Sequence, residues 1–278
     1  MSNLRFLSVD SILLPIASHL LPIGFKHMNR RDFLKLACFS VAGLPAKSAF
    51  DQLTGKALVK QPGVGKPKWA MVIDINACAG KPGCQDCIDA CHSIHNVPTL
   101  NNPKEEVKWI WTNPYKKVFP EQTYQFSSME VQKKPVLVLC NHCENPPCVK
   151  VCPTKATFKR DDGLVMMDYH RCIGCRYCMA ACPYGARSFN WKDPRPSIKD
   201  FRQDFPTRTK GVVEKCSFCE ERLAKGLKPA CVEACTARAL TFGDLNEPDS
   251  QVRKLLALRP SLRRKAHLGT EPKVFYIL

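Results

Sequence analysis

The stretch Cys172-Ile-Gly-Cys175-Arg-Tyr-Cys178-Met-Ala-Ala-Cys182-Pro183 packs four cysteines into eleven residues and closes on a proline. Three thiolates set two residues apart can wrap a turn of backbone around one face of an iron-sulfur cubane, offering several peptide N–H groups to its sulfurs. The fourth thiolate, beyond a three-residue spacer, cannot reach that centre. It begins a helical turn that points away, so the stretch calls for a second centre and a second cysteine group to share it. Pro183 restricts the backbone at the exit, while Gly174 and Gly185 allow close approach of main chain to sulfur.

Working outward, sixteen of the 17 cysteines fall into four groups of four. Cys78, Cys84, Cys87 and Cys91 are separated by five, two and three residues; Cys140, Cys143, Cys148 and Cys152 by two, four and three, with Pro153 next. Cys216, Cys219, Cys231 and Cys235 keep both ends of the pattern but place eleven residues in the middle, and Thr236 stands where a proline would be. The 172–183 stretch is the C-x2-C-x2-C-x3-C-P run of bacterial ferredoxins without deviation. Four groups therefore imply four [4Fe-4S] clusters.

Structural zinc is the main rival use of the same residues, because pairs of C-x2-C build four-thiolate ribbons. Ribbons join two pairs over a long spacer, however, whereas the first and third groups hold four cysteines within fourteen and eleven residues. On the zinc reading the chain would be a zinc-stabilised interaction protein. Disulfides are the ordinary reading of an exported cysteine-rich chain. Covalent haem is excluded, since no C-x-x-C-H occurs.

At 278 residues, 45% hydrophobic and 24% charged, the chain is long enough to bury real cores, and its cysteines are not needed to staple a miniature scaffold. The formal charge is +17. Without residues 1–49 it becomes +13, from 36 basic against 23 acidic residues. Four clusters with their thiolates, at roughly −2 each, reduce it to roughly +5. The basic excess thus reads largely as compensation for buried negative charge, and a nucleic-acid partner loses its premise. With no nucleotide fingerprint, Ser-His-Asp signal or flavin site, the chain reads as a wire that moves electrons without turning over a substrate of its own.

The N-terminus carries an address. Arg30 and Arg31, followed by Phe33, Leu34 and Lys35 and an apolar run, match a twin-arginine export signal over 28–49. That route moves folded, cofactor-loaded proteins, which fits metal-bound thiolates better than disulfides. Cys38 would leave with the signal. Residues 1–27 read as a gene-model extension ahead of Met28, since their apolar run is broken by Pro15, His19 and Pro22. No later stretch approaches a membrane span, so the mature chain is expected on the periplasmic side of the cytoplasmic membrane, held there through partners.

Residues 69–75 and 135–139 read as strands leading into the first two groups. Residues 157–160 and 164–168 flank Asp161-Asp162-Gly163 as a hairpin, with 239–242 as its counterpart. Short helices are expected to begin near the fourth cysteine of each group. The fold class is α+β, two ferredoxin-like modules related by pseudo-twofold duplication. Two segments lie outside that scaffold. Residues 96–134 form an insertion rich in aromatics (Trp109, Trp111, Tyr115, Phe119, Tyr124, Phe126), and 249–278 a tail in which Val252, Leu255, Leu256 and Leu258 suggest an amphipathic helix. Each is read either as a docking surface or as packing at home.

From Trp69 to about Leu245 the chain resembles the four-cluster iron-sulfur subunits of the dimethyl-sulfoxide reductase, polysulfide reductase and formate-dependent nitrite reductase type. The resemblance implies that groups one and four share an outer module (68–95 with 205–248) and groups two and three an inner one (135–204). It implies the ligand sets Cys78, Cys84, Cys87 with Cys235; Cys140, Cys143, Cys148 with Cys182; Cys172, Cys175, Cys178 with Cys152; and Cys216, Cys219, Cys231 with Cys91. The five residues between Cys78 and Cys84 depart from the two usual in that family. His95-Asn96-Val97-Pro98, Glu105-Glu106-Val107-Lys108-Trp109-Ile110-Trp111 and residues 263–276 look most like the periplasmic iron-sulfur subunit of the membrane complex associated with dissimilatory sulfite reduction. That likeness implies a multi-span quinone-interacting membrane subunit and a multihaem cytochrome c as partners. The molybdopterin reductases of the tetrathionate, polysulfide and dimethyl-sulfoxide type, with a molybdopterin subunit in place of the cytochrome, are the other possibility.

Overall fold

The computed structural model describes residues 65–278. The expected extension, the export signal with Arg30 and Arg31, and Cys38 lie outside the described residues. Ten short strands are present among the described residues: β1 (Trp69–Asp74), β2 (Ile110–Pro114), β3 (Pro135–Leu139), β4 (Thr157–Lys159), β5 (Val165–Met167), β6 (Ser188–Phe189), β7 (Val213–Glu214), β8 (Leu240–Asp244), β9 (Ser261–Leu262) and β10 (Val274–Ile277). They form one four-stranded sheet in the order β8-β1-β10-β9 and three two-stranded ribbons, β2-β3, β4-β5 and β6-β7.

β1 lies inside the larger sheet because its sequence can be buried on both faces. Ala70, Met71, Val72 and Ile73 are all buried, which suits a strand flanked and covered on every side. Side chains alternate across a strand. Ala70 and Val72 accordingly pack with Val252 and Ile277, while Met71 and Ile73 join the main core with Leu139, Val274 and Tyr276. β8 runs antiparallel to β1, Trp69 opposite Asp244 and Ile73 opposite Leu240. β10 runs parallel to it, Met71 opposite Val274 and Ile73 opposite Tyr276. The strand expected over 69–75 ends one residue early, because Asp74 caps the Ile75–Ala79 helix by accepting the Ala77 N–H at 2.9 Å.

The tail packs at home. Its helix, Gln251–Leu258, starts at Ser250, whose hydroxyl accepts the Arg253 N–H at 3.3 Å, and lays Val252 on the β1-β8 face. The strand β10 that follows contributes fully buried Val274 and Tyr276, and the Tyr276 hydroxyl donates to the Leu137 carbonyl at 3.1 Å. The aromatic insertion divides between the two readings. Trp109, Tyr115 and Phe119 belong to the main core, whereas Tyr124 and Phe126 are 66% and 82% exposed.

The helices of the cysteine groups correct an expectation. They begin just before the third cysteine, at Asp86–Ile94, Pro147–Lys150, Tyr177–Ala180 and Ala230–Glu233, not near the fourth. In the two middle groups Pro153 and Pro183 disfavour helix at the preceding fourth cysteine, and the fourth group stops at Glu233 in the same way with Thr236 in the proline's place. In these three groups the fourth cysteine lies just past the helix. In the first group, where His92 follows Cys91, the helix runs on to Ile94. The hairpin at 161–163 forms as β4 and β5, with Thr157 opposite Met167.

Candidate metal centres

All sixteen grouped cysteines are free thiols, and the fold gathers them from distant parts of the chain. Cys78 and Cys87 lie within electrostatic reach of Cys84 and of Cys235. Cys91 lies beside Cys216, Cys219 and Cys231. Cys140, Cys143, Cys148 and Cys182 line one cavity together with Tyr184 and Arg187. In the remaining set Cys172 neighbours Cys178, and Cys175 sits half-buried between them in the same loop. The contacts of Cys152 are the Thr157 N–H at 3.5 Å and the Thr154 hydroxyl at 3.7 Å.

These sites fit iron-sulfur clusters by donor chemistry. Sulfur accepts backbone N–H groups in three of the four sets, from Phe218 to Cys216 at 3.4 Å, Ala230 to Cys219 at 3.4 Å, Ala239 to Cys235 at 3.3 Å and Thr157 to Cys152 at 3.5 Å. Burial, reinforced by neighbouring thiols, pushes Cys87 and Cys143 up to about 12 and raises Cys91, Cys216 and Cys231 strongly. Such thiols would stay protonated alone. A polycationic metal core is what makes four thiolates tolerable in one place.

The loop geometry repeats from group to group. In three C-x-x-C segments the residue before the second cysteine takes a left-handed conformation: His142 at φ 41°, Gly174 at φ 70° and Phe218 at φ 58°. This turn lets successive N–H groups converge as an anion-binding nest. Gly174 has a second reason to be glycine, because a Cβ there would lie 2.4 Å from the Gly211 carbonyl oxygen. His142 and Phe218 carry the strain by packing on one another. Their rings stack at 3.9 Å and 18°, fully buried, and join the Cys140 loop to the Cys216 loop. The Val165 N–H donates to His142 Nδ1 at 3.0 Å and His142 Nε2 meets the Cys216 carbonyl at 3.1 Å, which fixes the neutral Nε2–H tautomer. Burial, with Lys215 nearby, lowers its pKa in keeping with that state.

Buried cations flank the thiol sets. His95 lies against Cys91 Sγ at 3.6 Å and pairs through Nε2 with Glu221 at 3.0 Å. Burial alone would lower its pKa, but hydrogen bonds with Cys219 and Glu221 outweigh that and raise it to about 9. His95, Cys219 and Glu221 bring their donor atoms within 4.8 Å of one another; since Cys219 belongs to a thiol set, His95 and Glu221 read as its hydrogen-bonding surround. Behind them Arg208 and Glu214 form a fully buried pair at 2.6 Å, and Arg208 Nη2 donates to the Asn96 carbonyl at 2.9 Å. Trp109 donates to Glu214 at 3.0 Å and stacks on His95 at 4.6 Å. Lys215 donates to the Val165 and Cys216 carbonyls. His142, Arg187, Arg208, Glu214 and Lys215 escaped a reading based on cysteine spacing. His142 inside a C-x-x-C and Arg187 five residues past Cys182 were the available signals.

The sets are connected in series. Cys87 lies within reach of Cys91 and Cys231, Cys216 within reach of Cys140, and Cys148 within reach of Cys178. The middle of this series is the more deeply buried part. Cys91, Cys216, Cys219 and Cys231 are all buried, and Cys140, Cys143 and Cys148 are buried beside half-exposed Cys182, whereas one end combines buried Cys87 with half-exposed Cys78, Cys84 and Cys235 and the other buried Cys178 with half-exposed Cys172 and Cys175. An iron-sulfur electron carrier is the class of protein that such an arrangement defines.

The comparisons with known proteins agree. A 4Fe-4S dicluster domain model matches residues 134–197 and 200–245. The "Hdr-like menaquinol oxidoreductase iron-sulfur subunit 1" of Archaeoglobus fulgidus is 40% identical over 275 residues, spanning 90% of this chain and 97% of that one. A component of the polysulfide reductase of Wolinella succinogenes is 40% identical over 76% of this chain and 94% of its own. A component of the tetrathionate reductase of Salmonella typhimurium is 38% identical over 90% and 88%. This protein belongs to the family of iron-sulfur electron-transfer subunits of reductase complexes that includes these relatives. No helix among the described residues is long and apolar enough to cross a membrane.

Proposed function

We propose that the chain relays electrons through four [4Fe-4S] clusters, strung in the order Cys78/Cys84/Cys87/Cys235, Cys91/Cys216/Cys219/Cys231, Cys140/Cys143/Cys148/Cys182 and Cys152/Cys172/Cys175/Cys178. The observation that carries this reading is the series of thiols within electrostatic reach of one another, with most of the half-exposed cysteines at its two ends and most of the buried ones between. Each cluster, when bound, supplies a one-electron centre. The protein's residues supply thiolates, N–H groups to sulfur and nearby fixed charge, which set the potentials. Two modules related by duplication account for the recurring left-handed loop residue and for the stack of His142 on Phe218. The chain has no substrate site of its own on this reading; the partners docked at the two ends carry the chemistry.

The complex is a membrane-bound, quinone-linked one of the sulfite-reduction-associated kind, with a multi-span membrane subunit and a multihaem cytochrome c. The long match to the Archaeoglobus menaquinol oxidoreductase subunit favours it. The twin-arginine sequence at Arg30 and Arg31 supports placement on the periplasmic face. The polysulfide and tetrathionate reductase relatives favour a second reading, a molybdopterin reductase. Purification of the intact complex from membranes separates the two: c-type haem co-eluting with the chain supports the first, molybdenum the second.

A further inference from the structure

Arg187 is buried without a carboxylate to pair with among the described residues. It is 6% exposed and lines the cavity of Cys140, Cys143, Cys148 and Cys182. One arm of its guanidinium is accounted for, since Nη1 donates to Thr157 Oγ1 at 3.1 Å and to Met167 Sδ at 3.7 Å. Nη2 is buried and has no partner. A buried cation without a counter-charge costs several kcal/mol, so compensation has to come from what surrounds it; Tyr169 and His142 are near but are neutral at pH 7, and the groups that can carry negative charge there are the sulfurs of Cys148, Cys178 and Cys140. Cys148 and Cys178 belong to two different thiol sets. The helices that carry them, Pro147–Lys150 and Tyr177–Ala180, pack on one another, which places the guanidinium between the sets.

We propose that Arg187 is a positioning residue that holds a permanent positive charge between the two clusters of the inner module and donates its free Nη2–H toward sulfur there, raising the reduction potential of both. This rests on the reading of the thiol sets as cluster ligands. Adding an electron to a cluster adds negative charge, which a fixed cation at short range stabilises. An N–H donated to sulfur acts in the same direction. Because arginine does not deprotonate in proteins, the contribution is a constant one and does not depend on pH.

The test is a redox titration of the anaerobically purified full chain, followed by low-temperature electron paramagnetic resonance, on wild type, Arg187→Met and Arg187→Lys. In Arg187→Met the two inner-module centres are expected to be at least tenfold less reduced at a fixed potential, a downward shift of about 59 mV for a one-electron centre. The two outer-module centres stay where they were, and Arg187→Lys, which keeps the charge but loses the fork, falls between. Unchanged inner potentials in both variants, or an equal shift of all four centres, overturn the proposal. If the methionine variant does not assemble its inner clusters, the lysine variant decides: lowered inner potentials with unmoved outer ones support the proposal, and unmoved potentials or failed assembly there as well overturn it. Absence of any iron-sulfur signal in the wild type would strike instead at the reading of the thiol sets.

Discussion

At the scale of single residues, the fold depends on a few backbone positions that a side chain can enter only at a cost. Gly174 combines φ 70° with a carbonyl oxygen 2.4 Å from where a Cβ would stand. Gly174→Ala is expected to destabilise the protein by about 1–3 kcal/mol for the conformation, with more for the clash, and to weaken the spectral signal of the centre held by Cys172, Cys175 and Cys178. An unchanged denaturation midpoint would contradict this. Phe218→Ala removes a fully buried ring stacked on His142 and should cost about 3–5 kcal/mol, read as a lowered midpoint in guanidinium. Cys178→Ser should delete one cluster's resonance and leave the rest. Gly174 was legible in the sequence as a place of close main-chain approach, though its left-handed φ and its approach to the Gly211 carbonyl emerge only in the fold. His142 and Phe218 were not. They occupy the equivalent position in their own groups, and what lets them do so is a partner 76 residues away across the structure, which local propensity does not encode.

At the scale of elements, strands are easier to read than helices. Residues 135–139 form β3 as the apolar β-branched run suggests, and the Asp161-Asp162-Gly163 turn joins β4 to β5. The helices lie about one turn earlier than cysteine spacing suggests; in the two middle groups proline disfavours helix at the preceding fourth cysteine, and the fourth group stops likewise with Thr236 in the proline's place. The role of the tail was half legible. Its apolar helix face was visible, but parallel pairing of β10 with β1, some 200 residues apart, is non-local and leaves no periodic trace. A chain ending at Pro272 would lose buried Val274, Tyr276 and Ile277. At about 1.5–3 kcal/mol per side chain, against a total stability of about 5–15 kcal/mol, this truncation should abolish cooperative unfolding by circular dichroism. Leu258→Glu, at a position 80% exposed, should change stability by less than about 0.5 kcal/mol; equal damage from both changes would mean that the helix, not the strand, is what matters.

At the scale of the whole molecule, the charge balance and the thiol architecture belong together. A chain with formal charge +17 buries Arg187, Lys215 and His95 close to its thiols, an arrangement that negative charge on those sulfurs would help to balance. Arg208 has Glu214 as a direct counter-charge; Arg187 has no carboxylate partner among the described residues, only the nearby sulfurs. The class of cofactor was thus legible from spacing alone, whereas the order proposed for the centres was not, because the electrostatic proximities behind it, Cys87 to Cys91, Cys216 to Cys140 and Cys148 to Cys178, arise only in the fold. The most direct measurement is iron and acid-labile sulfide on the anaerobically purified chain. Four cubanes predict about sixteen iron atoms and as many sulfides per chain. One to four zinc atoms with no sulfide, or a colourless protein, would contradict them.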